Sequence, residues 1–257
     1  MQKPTIAIIG PGRAGSALGR ALHGAGYTIA AIGGRNPDNV RNLAEELGAR
    51  ACQSPATTID VADLTLVAVP DDVILPLATD MVESLCSAAG HAVVHLSGAQ
   101  DLQTFRRGPE AVQNVVGTYF GIDADQPLRD QLTQLARDLR GHPFDLTGVN
   151  LALYHAAAVF AANYPITLLA EAIALAAEAG LDAETARQGL TTLLAGAVNN
   201  LRDLPPADAI TGPALRGDEG TIKRHLEALK GDSELQRLYQ LLADRTKLLN
   251  PKKEAAA

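Results

Sequence analysis

The stretch Thr5-Ile6-Ala7-Ile8-Ile9-Gly10-Pro11-Gly12-Arg13-Ala14-Gly15 decides the fold. An apolar strand over 5–9 runs straight into Gly-x-Gly-x-x-Gly, and helix-like sequence follows over 16–24. In such a unit the first glycine permits the tight turn and the second lets a pyrophosphate approach the backbone. The third lets the helix pack closely on the strand. Free N–H groups and the positive end of the helix dipole then face the phosphates. A glycine-rich turn can also serve strand–helix packing alone, but strand, position and following helix agree here. The reading predicts a dinucleotide site with Gly10, Pro11, Gly12, Arg13, Ala14 and Gly15 in its phosphate loop.

Working outward, apolar strand-like runs at 28–32, 64–69 and 92–96 alternate with helix-like segments at 14–24, 40–47 and 73–87. Strands separated by helices imply parallel βαβ units and a doubly wound, mainly parallel Rossmann sheet of the α/β class. Ligands of such sheets lie beyond the carboxyl ends of the strands. That rule gathers residues 10–15, 33–36, 69–71 and 97–99 on one rim. The Val69-Pro70 backbone is expected to line the cofactor. Asp71 and Asp72 are expected to open the next helix, and Ser97 either touches nicotinamide or substrate or is a turn residue.

From about residue 150 the character changes. Residues 151–179 are almost continuously helical in composition, with Pro165 expected to kink them. Further helices are expected over 182–201, 220–229 and 233–249, with Gly180 as a C-cap and Ser233 as an N-cap. The expected organisation is a dinucleotide-binding domain over 1–148 and an all-helical substrate and dimerisation domain over 149–257.

Hydrophobic residues make up 47% and charged residues 20%, as in ordinary globular proteins. A net charge of −7 argues against a nucleic-acid partner. Cys52 and Cys86 have neither metal-site nor disulfide spacing, and are expected to be small buried residues in a reducing compartment. The early first strand leaves no room for a signal peptide, and no apolar run reaches about 18 residues, so a cytoplasmic protein without a membrane partner is expected.

The end of the second strand discriminates between cofactors. NAD binders place Asp or Glu there for the ribose 2′-hydroxyl. This chain has Ile32-Gly33-Gly34-Arg35-Asn36 and no acid until Asp38. Arg35 suits a 2′-phosphate through a charge-assisted fork, with Asn36 sharing the load, so NADP(H) is the expected cofactor. Arg35 as a solvated turn residue is the alternative.

Four stretches carry a family resemblance: residues 9–15; Ala68-Val69-Pro70-Asp71-Asp72; Tyr154-His155-Ala156-Ala157-Ala158 through Asn163-Tyr164; and Thr211-Gly212-Pro213-Ala214-Leu215-Arg216-Gly217-Asp218. The chain resembles Rossmann-like NADP-dependent oxidoreductases with a helical C-terminal domain. This group is related to pyrroline-5-carboxylate reductase, ketopantoate reductase and 6-phosphogluconate dehydrogenase. The resemblance implies hydride transfer between the nicotinamide and a small oxo, imino or hydroxy-acid substrate. It also implies a homodimer built through the helical half, where Leu168, Leu169, Ile173 and Leu175 exceed what one small sheet can cover. Relatives usually carry one more helix and strand after the Ser-Gly-Ala element, ending in a Ser-Leu-His-Pro-like turn. Here Ser97-Gly98-Ala99-Gln100 runs almost directly into Asp101-Leu102-Gln103-Thr104-Phe105, so the sheet is expected to lose a strand.

Related dehydrogenases place a Lys and an Asn on the first long helix of the second domain. This chain has no lysine there, and His155 and Asn163 occupy the corresponding segment. They would lie about 12 Å apart along a continuous helix and about 80° apart around it, so both can border one face. His155 suits proton donation near neutrality and Asn163 suits holding a substrate carbonyl or carboxylate. A packed helix that merely satisfies both side chains is the structural alternative. For Thr211 and Arg216 two readings stay open: with Asp218 they face a partner's cleft and bind substrate, or Arg216 and Asp218 pair locally and Asp218 starts a helix. No sequence pattern of a metal site, nucleophile elbow or Walker loop is present. A non-catalytic NADP-binding sensor is the alternative to an enzyme, and such sheets also serve flavin or deazaflavin chemistry.

Overall fold

The computed structural model describes residues 3–87, 91–96 and 117–249 and divides into two compact units, Met1–Pro165 and Ile166–Ala257. The compositional boundary at 148/149 falls inside the first unit.

In the first unit, strands β1 (Ile6–Ile9), β2 (Ile29–Gly33), β3 (Arg50–Cys52), β4 (Leu64–Val67) and β5 (Ala92–His95) form one sheet in the order β3-β2-β1-β4-β5. All four pairings are parallel. β1 is central because it is apolar on both faces: Ile6, Ala7, Ile8 and Ile9 are all buried. A parallel strand covered on both sides needs such a continuous apolar run. Helices α1 (Arg13–Gly24) and α2 (Pro37–Leu47) cover one face. There Leu18, Leu22, Val40, Leu43 and Leu47 pack on Ile6, Ile8, Ile29 and Ile32. Short α3 (Pro55–Ile59) and α4 (Asp71–Ser87) serve the other face, where Ile59 and Met81 meet Ile9 and Val67. Each fully buried isoleucine or leucine contributes about 1.5–3 kcal/mol relative to exposure.

A second, two-stranded parallel sheet pairs β6 (Tyr119–Ile122) with β7 (His142–Asp145) across α5 (Leu128–Asp138). The sequence reading assigned no element here, although Leu128, Leu132, Leu135 and Leu139 recur at helical spacing. Leu135 and Leu139 join the core above α1, and the Tyr27 hydroxyl donates to Asp138 Oδ2 at 2.9 Å. Burial, with that bond to a carboxylate, pushes the Tyr27 phenol well above its usual range. The Asp138 carboxyl is held low: desolvation opposes ionisation, but bonds from Gln134, Tyr27 and Lys3 outweigh it. Among the described residues no strand joins β5 to β6. Their residues line an apolar cavity of about 410 Å³ together with Leu18, Leu66 and Leu132. The shortened segment after Ser97 lies outside the described residues, as does Ser97 itself.

The expected helix over 151–179 is two helices, α6 (Leu151–Ala162) and α7 (Tyr164–Glu178). Pro165 lacks an N–H and restricts the residue before it, so the chain breaks at Asn163 and restarts. Leu151–Glu178 contains an 18-residue window of mean hydropathy 1.5, long and apolar enough by length and composition to cross a membrane, and none of that window is buried. Isolated polar residues interrupt a strict apolar run without lowering the mean.

The second unit holds α8 (Ala183–Asn200), α9 (Pro206–Ala209), α10 (Pro213–Arg216), α11 (Glu219–Ala228) and α12 (Ser233–Lys247). Gly180 precedes α8 with a φ of 98°, as expected of a C-cap glycine. The N-cap of α12 is Asp232, whose carboxylate accepts from the Leu235 N–H, and Ser233 is the first helical residue. Ile222 and Ala243 are buried, whereas Leu193, Val198 and Leu201 are exposed.

Candidate functional site

The sheet order places its topological switch between β1 and β4, where crossovers leave in opposite directions and a crevice opens. A cavity of about 730 Å³ lies there. It brings together Gly10, Pro11, Gly12, Arg35, Asn36, Val69 and Pro70, seven of the residues expected to hold the cofactor.

The three glycines do different work. Gly10 has a φ of 97°, which L side chains rarely adopt, and a Cβ there would collide with the Ala68 carbonyl oxygen. A Cβ on Gly15 would collide with the Gly10 carbonyl, so Gly15 sets the approach of α1 to the turn. A Cβ on Gly12 would meet nothing within 4 Å. Gly12 faces open cavity, so the space beside it is left for something other than the protein.

Among the other helix starts of the chain, α5, α9 and α10 lack a side-chain cap. Side chains of Asn36, Ser54, Asn150, Asp182, Asp218 and Asp232 cap α2, α3, α6, α8, α11 and α12. α1 starts at Gly12 with no side-chain cap and no acid in its first turn. Its leading N–H groups are the orphan donors that bind an anion at a helix start. Arg13, Ala14 and Gly15 form this first turn, so what they offer a ligand is backbone. None of their side chains lines this cavity; Arg13 is exposed, Ala14 borders the apolar cavity by β5, and Gly15 is buried.

Arg35 is exposed on the cavity wall and has no ion-pair or hydrogen-bond partner among the described residues. Asp38, the nearest acid in sequence, pairs instead with Arg41 at 3.5 Å. Asn36 departs from its expected role in one respect. Its side-chain oxygen accepts from the Asp38 and Asn39 N–H groups at 3.0 and 3.1 Å, so only its amide N–H groups remain to meet a phosphate. Asn39, Gln53, Pro55, Val73 and Leu77 also line the cavity and were missed. The three-residue edge strand β3 is too short to read from periodicity, so the rim position after it went unseen.

His155 lies on α6, and Asn163 is the C-cap of that helix, not a residue within it. The break before Pro165 therefore removes the continuous helix from which their spacing was expected. Neither lines the switch-point cavity. His155 Nδ1 and Asn163 Oδ1 are each buried without a hydrogen-bond partner. Buried polar atoms are nearly always paired, so each has hydrogen-bonding capacity left over among the described residues. Thr211 and Arg216 belong to the second unit and are exposed, Arg216 closing α10. Asp218 is the N-cap of α11. The Thr221 backbone N–H and then its hydroxyl bind the carboxylate, holding its pKa below the usual range, and Arg216 acts on it only at longer range.

This parallel sheet, with an uncapped helix start and an open glycine at its switch point, defines a dinucleotide-binding α/β protein followed by helices. Residues 5–97 match the family model described as NADP oxidoreductase coenzyme F420-dependent, and residues 118–246 match the one described as Domain of unknown function (DUF2520). The chain belongs to the DUF2520 family, in agreement with the group its sequence motifs resemble. No curated protein matches the sequence. Among solved structures, a candidate NADP oxidoreductase from Bacteroides fragilis is 24% identical, with a TM-score of 0.77, over 95% of this chain and 98% of that one. An imine reductase from Myxococcus stipitatus in complex with NADP+ is 21% identical, with a TM-score of 0.61, over 99% and 95%. A pyrroline-5-carboxylate reductase from Coxiella burnetii is 18% identical, with a TM-score of 0.58, over 97% and 99%. These likenesses show a shared fold along nearly the whole chain.

Proposed function

We propose that this protein is an NADP-dependent reductase acting on a small substrate with a C=N or C=O bond, of the imino, oxo or hydroxy-acid class. The observation that supports it most is the switch-point cavity, where uncapped α1, open Gly12 and unpaired Arg35 face one space. The α1 N-terminus and Gly12 would hold the pyrophosphate of the cofactor, and Arg35 and the Asn36 amide N–H groups would hold its 2′-phosphate. Val69 and Pro70 line the wall. Bound NADPH supplies a hydride to the substrate carbon. His155 delivers the proton to the substrate nitrogen or oxygen, and Asn163 orients the substrate, its amide N–H groups donating to a carbonyl or carboxylate. Thr211 and Arg216 contribute substrate contacts, Arg216 suiting a carboxylate.

Residues 149–257 form the substrate and dimerisation domain in this reading. Phe160, Leu153, Ile166 and Leu193 are exposed on its helices, which favours a cytoplasmic homodimer that covers them. The imine and pyrroline carboxylate reductases among the structural relatives make cyclic imines the first substrates to try. Purified protein with NADPH and a panel of cyclic imines and oxo acids, followed by nicotinamide absorbance, tests the proposal. Substrate-dependent oxidation of NADPH supports it. Tight NADPH binding with no turnover across the panel favours a sensor instead.

A further inference from the structure

We infer that Gln53 reads the amino edge of the adenine ring, so that the base contributes to cofactor affinity while the 2′-phosphate decides between NADP and NAD. The inference rests on the proposed nucleotide site and deepens it. The residues that line the cavity are of two chemical kinds. One is polar: the glycine turn, the α1 N-terminus and Arg35. The other is apolar: Pro55 at the start of α3, Val69 after β4, and Val73 and Leu77 on α4. The adenine ring is the flat, largely apolar group that a dinucleotide carries beside its 2′-phosphorylated ribose, and it suits the apolar lining.

Gln53 is a neutral polar residue of the same lining, two positions before Pro55. Cys52 pairs in register with Gly33, so Gln53 follows on beside Gly34, at the root of the loop that carries Arg35. Its backbone is pinned on both sides. Cys52 is buried and its Sγ donates to the Thr57 carbonyl at 3.4 Å. On the other side Ser54 caps α3, its Oγ accepting from the Thr57 N–H at 3.3 Å. The Gln53 side chain itself is exposed and has no hydrogen-bond partner among the described residues. A carboxamide offers one acceptor beside two donors, which matches the N6 donor of adenine and the ring-nitrogen acceptor next to it. A neutral amide adds little to phosphate binding beside a free guanidinium, so the two roles divide between Gln53 and Arg35.

Titrations of wild type and Gln53→Ala with NADP+, 1,N6-etheno-NADP+ and NAD+ test this. The etheno bridge removes the N6 donor. Wild type should bind NADP+ about tenfold tighter than the etheno analogue. Gln53→Ala should lose that preference by weakening NADP+ alone, with the ratio of NADP+ to NAD+ affinity unchanged. Gln53→Ala that keeps the wild-type preference for NADP+ over the etheno analogue overturns the inference. So does a loss of NADP+ over NAD+ preference, which would place Gln53 at the phosphate. Wild type that binds none of the three overturns the nucleotide site as a whole, a result distinct from either.

Discussion

Replacing Gly12 with alanine separates a loop built for a ligand from one built for packing. Gly12 sits at the N-cap of α1 with a φ of −77°, which alanine adopts freely, and its added Cβ meets nothing within 4 Å. The folded chain loses only the small preference of an N-cap for glycine over alanine, about 0.5–1 kcal/mol. For a chain of this size that lowers Tm by no more than about 4 °C. The methyl group occupies space the pyrophosphate needs, pushing it off one N–H donor. Each charge-assisted hydrogen bond is worth about 1.5–3 kcal/mol, so NADPH affinity should fall about 10- to 100-fold. Gly10→Ala is the control. It forces a left-handed backbone and drives a methyl into the Ala68 carbonyl, so it should cost about 3 kcal/mol or more and destabilise the fold itself. Calorimetric titration with NADPH, beside thermal unfolding followed by circular dichroism, reads both quantities. A Gly12→Ala protein that keeps wild-type affinity refutes the reasoning, as does one that unfolds as readily as Gly10→Ala.

Three further outcomes are expected. Tyr27→Phe should cost about 1–2 kcal/mol in urea unfolding by removing the bond to Asp138. Because the folded Tyr27 pKa is raised above its ordinary 10.0, the wild-type advantage is complete below that pH and lost as pH rises through the folded value. The Asp138 contribution runs the other way: its folded pKa is lowered, so it is present above the ordinary 3.8 and lost as pH falls toward the folded value. His155→Ala and Asn163→Ala each remove a buried polar atom that has no partner, so neither should destabilise by more than about 1 kcal/mol. On an accepted substrate His155→Ala should lower kcat about 100-fold with NADPH Kd unchanged; an unaltered kcat removes it from the chemistry. Sedimentation should show a dimer that Phe160→Glu dissociates, and a monomeric wild type contradicts the role given to the exposed helices.

Much of this was legible because β1 and its turn are over-determined. Four consecutive buried residues and three glycines with separate steric duties leave few alternatives for 5–15. The helix expected over 40–47 begins earlier, at Pro37, because Asn36 caps it instead of serving the cofactor alone. What escaped was short or set by tertiary contacts. β3 has three residues and no periodicity, so Gln53 was not placed on the rim. β6 and β7 begin with Tyr119 and His142, which lie exposed, and their inward residues gain meaning only when Leu135 and Leu139 pack beneath α1's side of the sheet. Asn163 was read as lying within a helix because composition favours helix on both sides. The backbone restriction imposed by Pro165 won over that local preference.

The most direct test of the account is a paired titration of wild type and Arg35→Ala with NADPH and NADH at one fixed salt concentration. Arg35 is unpaired and the nearby acid is held by Arg41, so the account predicts a wild-type preference for NADPH. Arg35→Ala should weaken NADPH about 10- to 100-fold, the worth of one charged phosphate fork, and leave NADH unchanged. Equal wild-type affinity for the two, or an Arg35→Ala protein that still prefers NADPH to the same degree, would contradict it.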